Sequence, residues 1–165
     1  MTENKELLIK KELKKTLKIL DKAMDTFNYS YQSCKTMDIK DEYTYEELDK
    51  FECLTSRFAR LSDILTQKIL KSILLLLRED VKSFLDRINR AEKLEIIVSA
   101  DQLKAVRDLR NEIAHEYCIE DLSGLFANVV KYSGVLIGII DKVKKYIATK
   151  QLTLENDEKD LTGRA

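Results

Sequence analysis

The chain contains no proline and only four glycines in 165 residues. Sheet proteins need turn residues every few positions, because tight turns use the fixed φ of proline or the positive φ that glycine adopts without strain. A chain so poor in both is held to long helices and few loops. The length predicts one domain with enough residues for a real core. The 44% hydrophobic content is that of an ordinary soluble protein, and the 35% charged content suits amphipathic helices with solvated outer faces.

The apolar spacing gives the helices. Leu13, Leu17, Leu20, Met24, Phe27 and Tyr31 recur at steps of three and four, which defines one face of a first helix over residues 4–36. Thr44 and Glu47 have capping-box spacing. They open a second helix that shows Phe51, Leu54, Phe58, Leu61 and Leu65 inward and continues to about Leu77. Its last turns, from Ile73 to Leu77, are apolar all round and require cover on several sides. A third helix is predicted from Asp80 to Glu92, with Val81, Phe84, Leu85 and Ile88 inward. Residues 93–98 read as a loop. Ser99 and Gln102 form a second candidate capping box, opening a fourth helix with Leu103, Val106, Leu109 or Arg110, and Ile113 inward. It is expected to fray between His115 and Tyr117. Asp121 is the candidate cap of a fifth helix bearing Leu122, Leu125, Val129, Tyr132, Leu136, Ile139, Val143 and Tyr146. Gly134 and Gly138, one turn apart, suggest close helix–helix approach. The fold class expected is therefore all-α, an up-and-down bundle of about five helices. No internal repeat or linker interrupts residues 1–150, and the polar stretch 151–165 reads as a disordered tail.

Lys+Arg and Asp+Glu both number 29, so the net charge is zero and advertises no nucleic-acid binder. The distribution is uneven. Residues 38–52 hold seven acids against two lysines, and residues 5–22 hold seven lysines against three acids. Residues 141–150 add four lysines against one acid. A basic surface built from the first and last helices is one expectation; each run alone also reads as a solvated helix face. Cys34, Cys53 and Cys118 are odd in number and unevenly spaced, which predicts neither a metal site nor a disulfide framework. The opening Met-Thr-Glu-Asn-Lys has no signal-peptide pattern, and the run from Ile73 to Leu77 is too short to cross a bilayer. A cytoplasmic chain with no membrane partner is expected.

One cluster departs from this helical scaffold. The run Arg110-Asn111-Glu112-Ile113-Ala114-His115-Glu116-Tyr117 contains the only histidine of the chain. Asn111 and His115 are one turn apart and share a face. Arg110 lies about 140° around the axis from His115 if the helix stays regular, at roughly 100° per residue. The two therefore meet within one chain only if the helix ends or distorts, or if the long arginine closes the gap. A two-fold pairing of two such helices would also bring both sets together. The residue types suit RNA phosphodiester cleavage without a metal. Imidazole can take or give a proton near neutral pH. Guanidinium can hold two phosphate oxygens and stabilise the charge that builds on them. The ribose 2′-hydroxyl is the nucleophile. Asn111 could orient the imidazole or the phosphate. The plainer reading is a surface or capping contact, with the histidine favoured by the dipole at a helix C-terminus.

The pattern Arg-Asn-x-x-x-His-x-Tyr, late in an all-helical chain of this size, resembles the HEPN superfamily and its HepT toxin branch, marked by R-x-x-x-x-H-x-Y. Arg110, His115 and Tyr117 match every fixed position, and Asn111 fits the polar residue that often follows the arginine. The resemblance spans residues 5–150 in architecture and about ten residues in detail. It implies a HEPN-like domain over 1–150 and a homodimeric endoribonuclease toxin that needs neither metal nor cofactor. Arg110 and His115 would be the catalytic pair in a composite cleft between two subunits. It also implies a nucleotidyltransferase antitoxin of the MntA type that transfers AMP to Tyr117, setting bulk and negative charge beside His115. Glu112 and Glu116 are expected to turn outward, away from any phosphate. A related HEPN branch implies the main alternative, a non-catalytic substrate-binding companion of a nucleotidyltransferase. A purely structural helical scaffold is the third reading.

Overall fold

A computed structural model of the chain describes residues 2–115 and 122–154. Every regular element among them is helical. Helix α1 is Glu3–Cys34. Helix α2 covers residues 45–76 in three consecutive parts: α-helix Tyr45–Asp63, a π-helical turn Ile64–Ile69, and α-helix Leu70–Leu76. Helix α3 is Phe84–Lys93, α4 is Ala100–His115 and α5 is Leu122–Thr149. The result is the all-α bundle of about five helices that the spacing implied. Helix α2 is its hub, touching each of the other four.

The core follows the periodic stripes. Leu13, Leu20 and Phe27 of α1 are buried, as are Phe51, Leu54, Phe58, Leu61 and Leu65 of α2. Leu103, Val106 and Leu109 of α4 and Leu125, Val129, Leu136, Ile139 and Val143 of α5 complete the same cluster. Helix α5 is long and apolar enough to cross a membrane by length and composition alone; this stripe, packed into the bundle, carries much of that apolar content. Near its start, Phe126 stacks on Phe51 with ring centroids 4.1 Å apart, and Tyr43 meets both rings edge-on. These contacts tie the beginning of α5 to α2 and to the connection before it.

Several local expectations are corrected. Helix α3 begins at Phe84 rather than Asp80, because Ser83 caps it: its Oγ accepts the Asp86 backbone N–H at 3.0 Å. Leu85 is exposed, and Ala91 joins Ile88 as the buried pair of α3. Residues 94–99 form the expected loop, and it is anchored in the core by the buried Ile96 and Ile97. Of the run ending α2, Ile73 and Leu74 are covered while Leu75 stays exposed. The glycines behave differently from each other. A Cβ on Gly134 would come within 3.3 Å of Tyr31 Oη on α1, whereas nothing approaches Gly138 within 4 Å.

Helices α2, α3 and α5 end alike. The backbone turns left-handed at Arg78 (φ 61°), Glu95 (φ 58°) and Gln151 (φ 49°). In each case the next residue's N–H reaches back to the carbonyl five residues earlier: Glu79 to Leu74, Ile96 to Ala91 and Leu152 to Ile147. The left-handed residue's own N–H bonds three back, to Leu75, Glu92 and Ala148 respectively. This double bonding is the Schellman arrangement, in which glycine is the usual occupant. Here all three positions carry side chains.

The π-helical turn in α2 was not signalled by the apolar spacing, which runs through it unbroken. Its wider turn shifts the hydrogen-bond ladder, so the Leu70 N–H bonds to Leu65 rather than to Thr66. Arg87 of α3 then donates to the Thr66 carbonyl at 3.0 Å, and the Thr66 hydroxyl donates to the Ser62 carbonyl at 2.8 Å. A turn of this kind is costly in isolation and is often found at functional sites. In this chain it forms one wall of a cleft between α2 and α4.

Candidate functional site

Helix α4 presents the motif. At its start, the Ser99 Oγ accepts the Gln102 N–H at 3.2 Å, which is the expected half of a capping box. The Ala100 N–H is taken at 3.1 Å by Glu92 of α3, so the free donors of this helix end are shared between its own cap and a neighbour. Burial of Leu103, Val106 and Leu109 fixes the rotation of the helix. Arg107, Arg110 and Asn111 then fall at the edge of the buried stripe, half-exposed and facing α2.

Arg110 is held by Asp63, the residue of α2 that immediately precedes the π turn. Its Nε donates to Oδ1 at 2.8 Å and its Nη2 to Oδ2 at 2.7 Å. The pair is a two-pronged guanidinium–carboxylate contact that fixes both planes. The bonds it donates to Asp63 make the guanidinium harder still to deprotonate, against a smaller opposing effect of partial burial. Arg110 therefore stands charged and oriented, with one edge already occupied.

Around this pair lies a cleft of about 580 Å³, formed by Arg60, Asp63, Ile64, Gln67 and Lys68 of α2 with Arg107, Arg110 and Asn111 of α4. Four cations line it against one carboxylate, and that carboxylate is bound to Arg110. Among the described residues, Arg60, Lys68 and Arg107 have no ion-pair partner. The Arg107 guanidinium lies over the ring of Phe84, its Cζ 3.9 Å from the centroid. Such a surface attracts a multiply charged anion, since concave walls of one sign concentrate the field. Among the described residues no group of three or more His, Cys, Asp or Glu side chains is placed to hold a metal ion.

The predicted site residues are thus only partly gathered. Arg110 and Asn111 share the cleft. His115 is exposed at the last position of α4 and is not part of the cleft wall. Helix α4 stays α-helical from Ala100 to His115, so it neither ends nor distorts between the arginine and the histidine. The reach of Arg110 is directed to Asp63. Within one chain the two motif residues therefore do not converge. Glu112 is exposed, as expected. Glu116, Tyr117, Cys118 and Asp121 lie outside the described residues.

Sequence reasoning missed Asp63, Arg60, Lys68 and Arg107. Asp63 is 47 positions from Arg110 and belongs to no motif, so only the packing of α4 on α2 reveals it. Arg107 carried a weak signal, being three residues before Arg110 and hence on a neighbouring stretch of the same face. The basic surface expected from the first and last helices does not border this cleft. Some of that charge is paired, as in Lys10 with Glu6 and Lys144 with Asp21.

In comparisons with family models, with curated proteins and with solved structures, nothing matched this chain.

Proposed function

We propose that this protein is a metal-independent endoribonuclease of the HepT toxin kind, acting as a homodimer. The observation that carries the reading is the cationic cleft bordered by Arg110 and Asn111, with the exposed His115 one turn beyond Asn111 on the same helix. A neutral chain has here collected four cations on one concave surface. RNA phosphates are the abundant polyanion that such a surface would take.

The chemistry proposed uses the substrate's own nucleophile. His115 removes the proton of a ribose 2′-hydroxyl, and the 2′-oxygen attacks the adjacent phosphorus. A 2′-O–P bond forms, the P–O5′ bond breaks, the departing 5′-oxygen takes a proton from water, and the protonated imidazole returns its proton to the resulting hydroxide. The products are a cyclic phosphate and a 5′-hydroxyl. An arginine beside the phosphorus stabilises the charge that accumulates on the non-bridging oxygens. Because Arg110 and His115 of one chain diverge, the complete site in this reading takes residues from two copies facing one another. In the same reading a nucleotidyltransferase antitoxin of the MntA type silences the enzyme by AMP transfer to Tyr117, which adds negative charge two residues from His115.

The test is mutational. Arg110→Ala and His115→Ala are each expected to remove RNA cleavage while leaving a folded protein of unchanged oligomeric state. Cleavage that survives both changes refutes the catalytic assignment. Tyr117→Phe is expected to remain a substrate-cleaving enzyme that the antitoxin cannot modify, read as the absence of an AMP adduct by intact mass. A second reading, a non-catalytic companion of a nucleotidyltransferase, is favoured by one observation: Asp63 already occupies one edge of Arg110. It expects no cleavage by the wild type and stable association with the nucleotidyltransferase.

A further inference from the structure

Three cations of the cleft have no carboxylate partner among the described residues, but they differ in setting. Arg60 and Lys68 sit on α2 on either side of Asp63. Arg107, on α4, lies over Phe84 at 3.9 Å, which fixes its guanidinium against a ring. Phe84 is half-buried against the core at the start of α3, so the ring is a firm backing. Arg107 makes no hydrogen bond to the protein among the described residues, and it is half-exposed at the cleft.

A guanidinium over an aromatic ring gains cation–π attraction, and because Arg107 also lines the cleft it stays within reach of a ligand there. A flat guanidinium backed by an aromatic ring is what a nucleobase stacks on, since unstacked bases of single-stranded RNA are received on aromatic rings and on arginine planes. Asp63 takes one edge of Arg110, which leaves Arg60 and Lys68 as the uncommitted cations for phosphates. The cleft volume, about 580 Å³, falls within the range of pockets that enclose a small-molecule-sized group.

We propose that the α2–α4 cleft is a nucleotide subsite for single-stranded RNA, in which Arg107 on Phe84 is a shelf for one base and Arg60 and Lys68 hold the flanking phosphates. The proposal deepens the reading of the cleft as an RNA site, but it concerns binding and can be tested apart from cleavage. It makes Arg107 a specificity and positioning residue rather than a member of the catalytic pair.

The experiment uses a short 2′-O-methyl oligoribonucleotide carrying one 2-aminopurine. It lacks the nucleophilic hydroxyl and reports stacking by loss of fluorescence. Titration with the wild-type protein is expected to quench the probe. Arg107→Lys keeps the charge and removes the plane; it is expected to abolish the quench and weaken binding about fivefold or more, as loss of one stacked base does. Phe84→Leu leaves every charge in place and is expected to shift both readings in the same direction. Arg60→Ala with Lys68→Ala is expected to weaken binding and flatten its salt dependence, while the probe held at saturation is still quenched. The proposal is overturned if Arg107→Lys quenches and binds as the wild type does, or if the wild type binds without quenching or does not bind. Quenching by a protein that cleaves no RNA would leave the shelf standing and the nuclease refuted. His115-dependent cleavage without quenching would do the reverse.

Discussion

Asp63 decides what Arg110 can do. Both of its oxygens are used, at 2.8 and 2.7 Å, and an amide at this position could supply only one acceptor. If Arg110 acts at the reacting phosphate, freeing its guanidinium should disorder the group that stabilises the transition state. Asp63→Asn is therefore expected to lower kcat for RNA cleavage at least about tenfold with a smaller change in KM. Asp63→Glu is expected to restore part of the loss. The pair is partly solvent-exposed, at 31% and 41% of the two side chains, so its removal should cost stability no more than about 1 kcal/mol. Cleavage that is unchanged or faster in Asp63→Asn would assign the pair a merely structural role. The sequence made Arg110, Asn111 and His115 visible because three polar residues with chemistry stand close together around a unique histidine. It could not make Asp63 visible, because a contact across 47 positions leaves no local pattern.

At the scale of elements, the ends of α2 and α3 lay within a residue of where their stripes stop, and the starts were legible where a capping box marked them. Thr44 and Glu47 form the full reciprocal cap, with bonds of 3.3 and 2.9 Å, as their spacing implied. Lys40, through its own bond to Glu47, and the Thr44 N–H hold the Glu47 carboxyl below the usual carboxylate range. A carboxylate whose pKa is depressed on folding contributes stability that is complete above its unfolded pKa and is lost as pH falls through its folded value. Thermal melts taken from neutral pH downward should therefore show Tm falling below about pH 4.5, with a shallower fall in Glu47→Gln; equal slopes in the two proteins would contradict the assignment. The left-handed caps that close α2, α3 and α5 were hidden, because Arg78, Glu95 and Gln151 stand where glycine would have signalled them. A non-glycine residue in the left-handed region costs about 1–2 kcal/mol, and glycine recovers part of this against its greater freedom when unfolded. Glu95→Gly and Gln151→Gly are each expected to stabilise by about 0.5–1 kcal/mol, read as Tm higher by about 2–4 °C per kcal/mol. A drop in Tm for both would contradict the left-handed caps. The π turn stayed hidden for another reason: its apolar residues keep helical order, and only the altered bonding from Leu70 and the Arg87 contact disclose it.

For the whole molecule, the all-α bundle was legible from scarce turn residues and five periodic stripes, because burying those stripes is what assembles it. The charge map was not. The basic runs on α1 and α5 drew attention by density, yet the concave cationic surface is assembled from α2 and α4, whose cations are scattered in sequence. Only packing turns scattered cations into a cleft. The divergence of Arg110 and His115 along a regular helix makes a second copy part of the account, so sedimentation should give a dimer at working concentrations; a monomer that cleaves RNA would contradict the composite site. The central claim is tested most directly by incubating the purified protein with total RNA in excess EDTA, beside His115→Ala. The account predicts progressive cleavage to fragments ending in cyclic phosphate by the wild type and intact RNA with the variant. Intact RNA with both proteins, or equal cleavage by both, would contradict it.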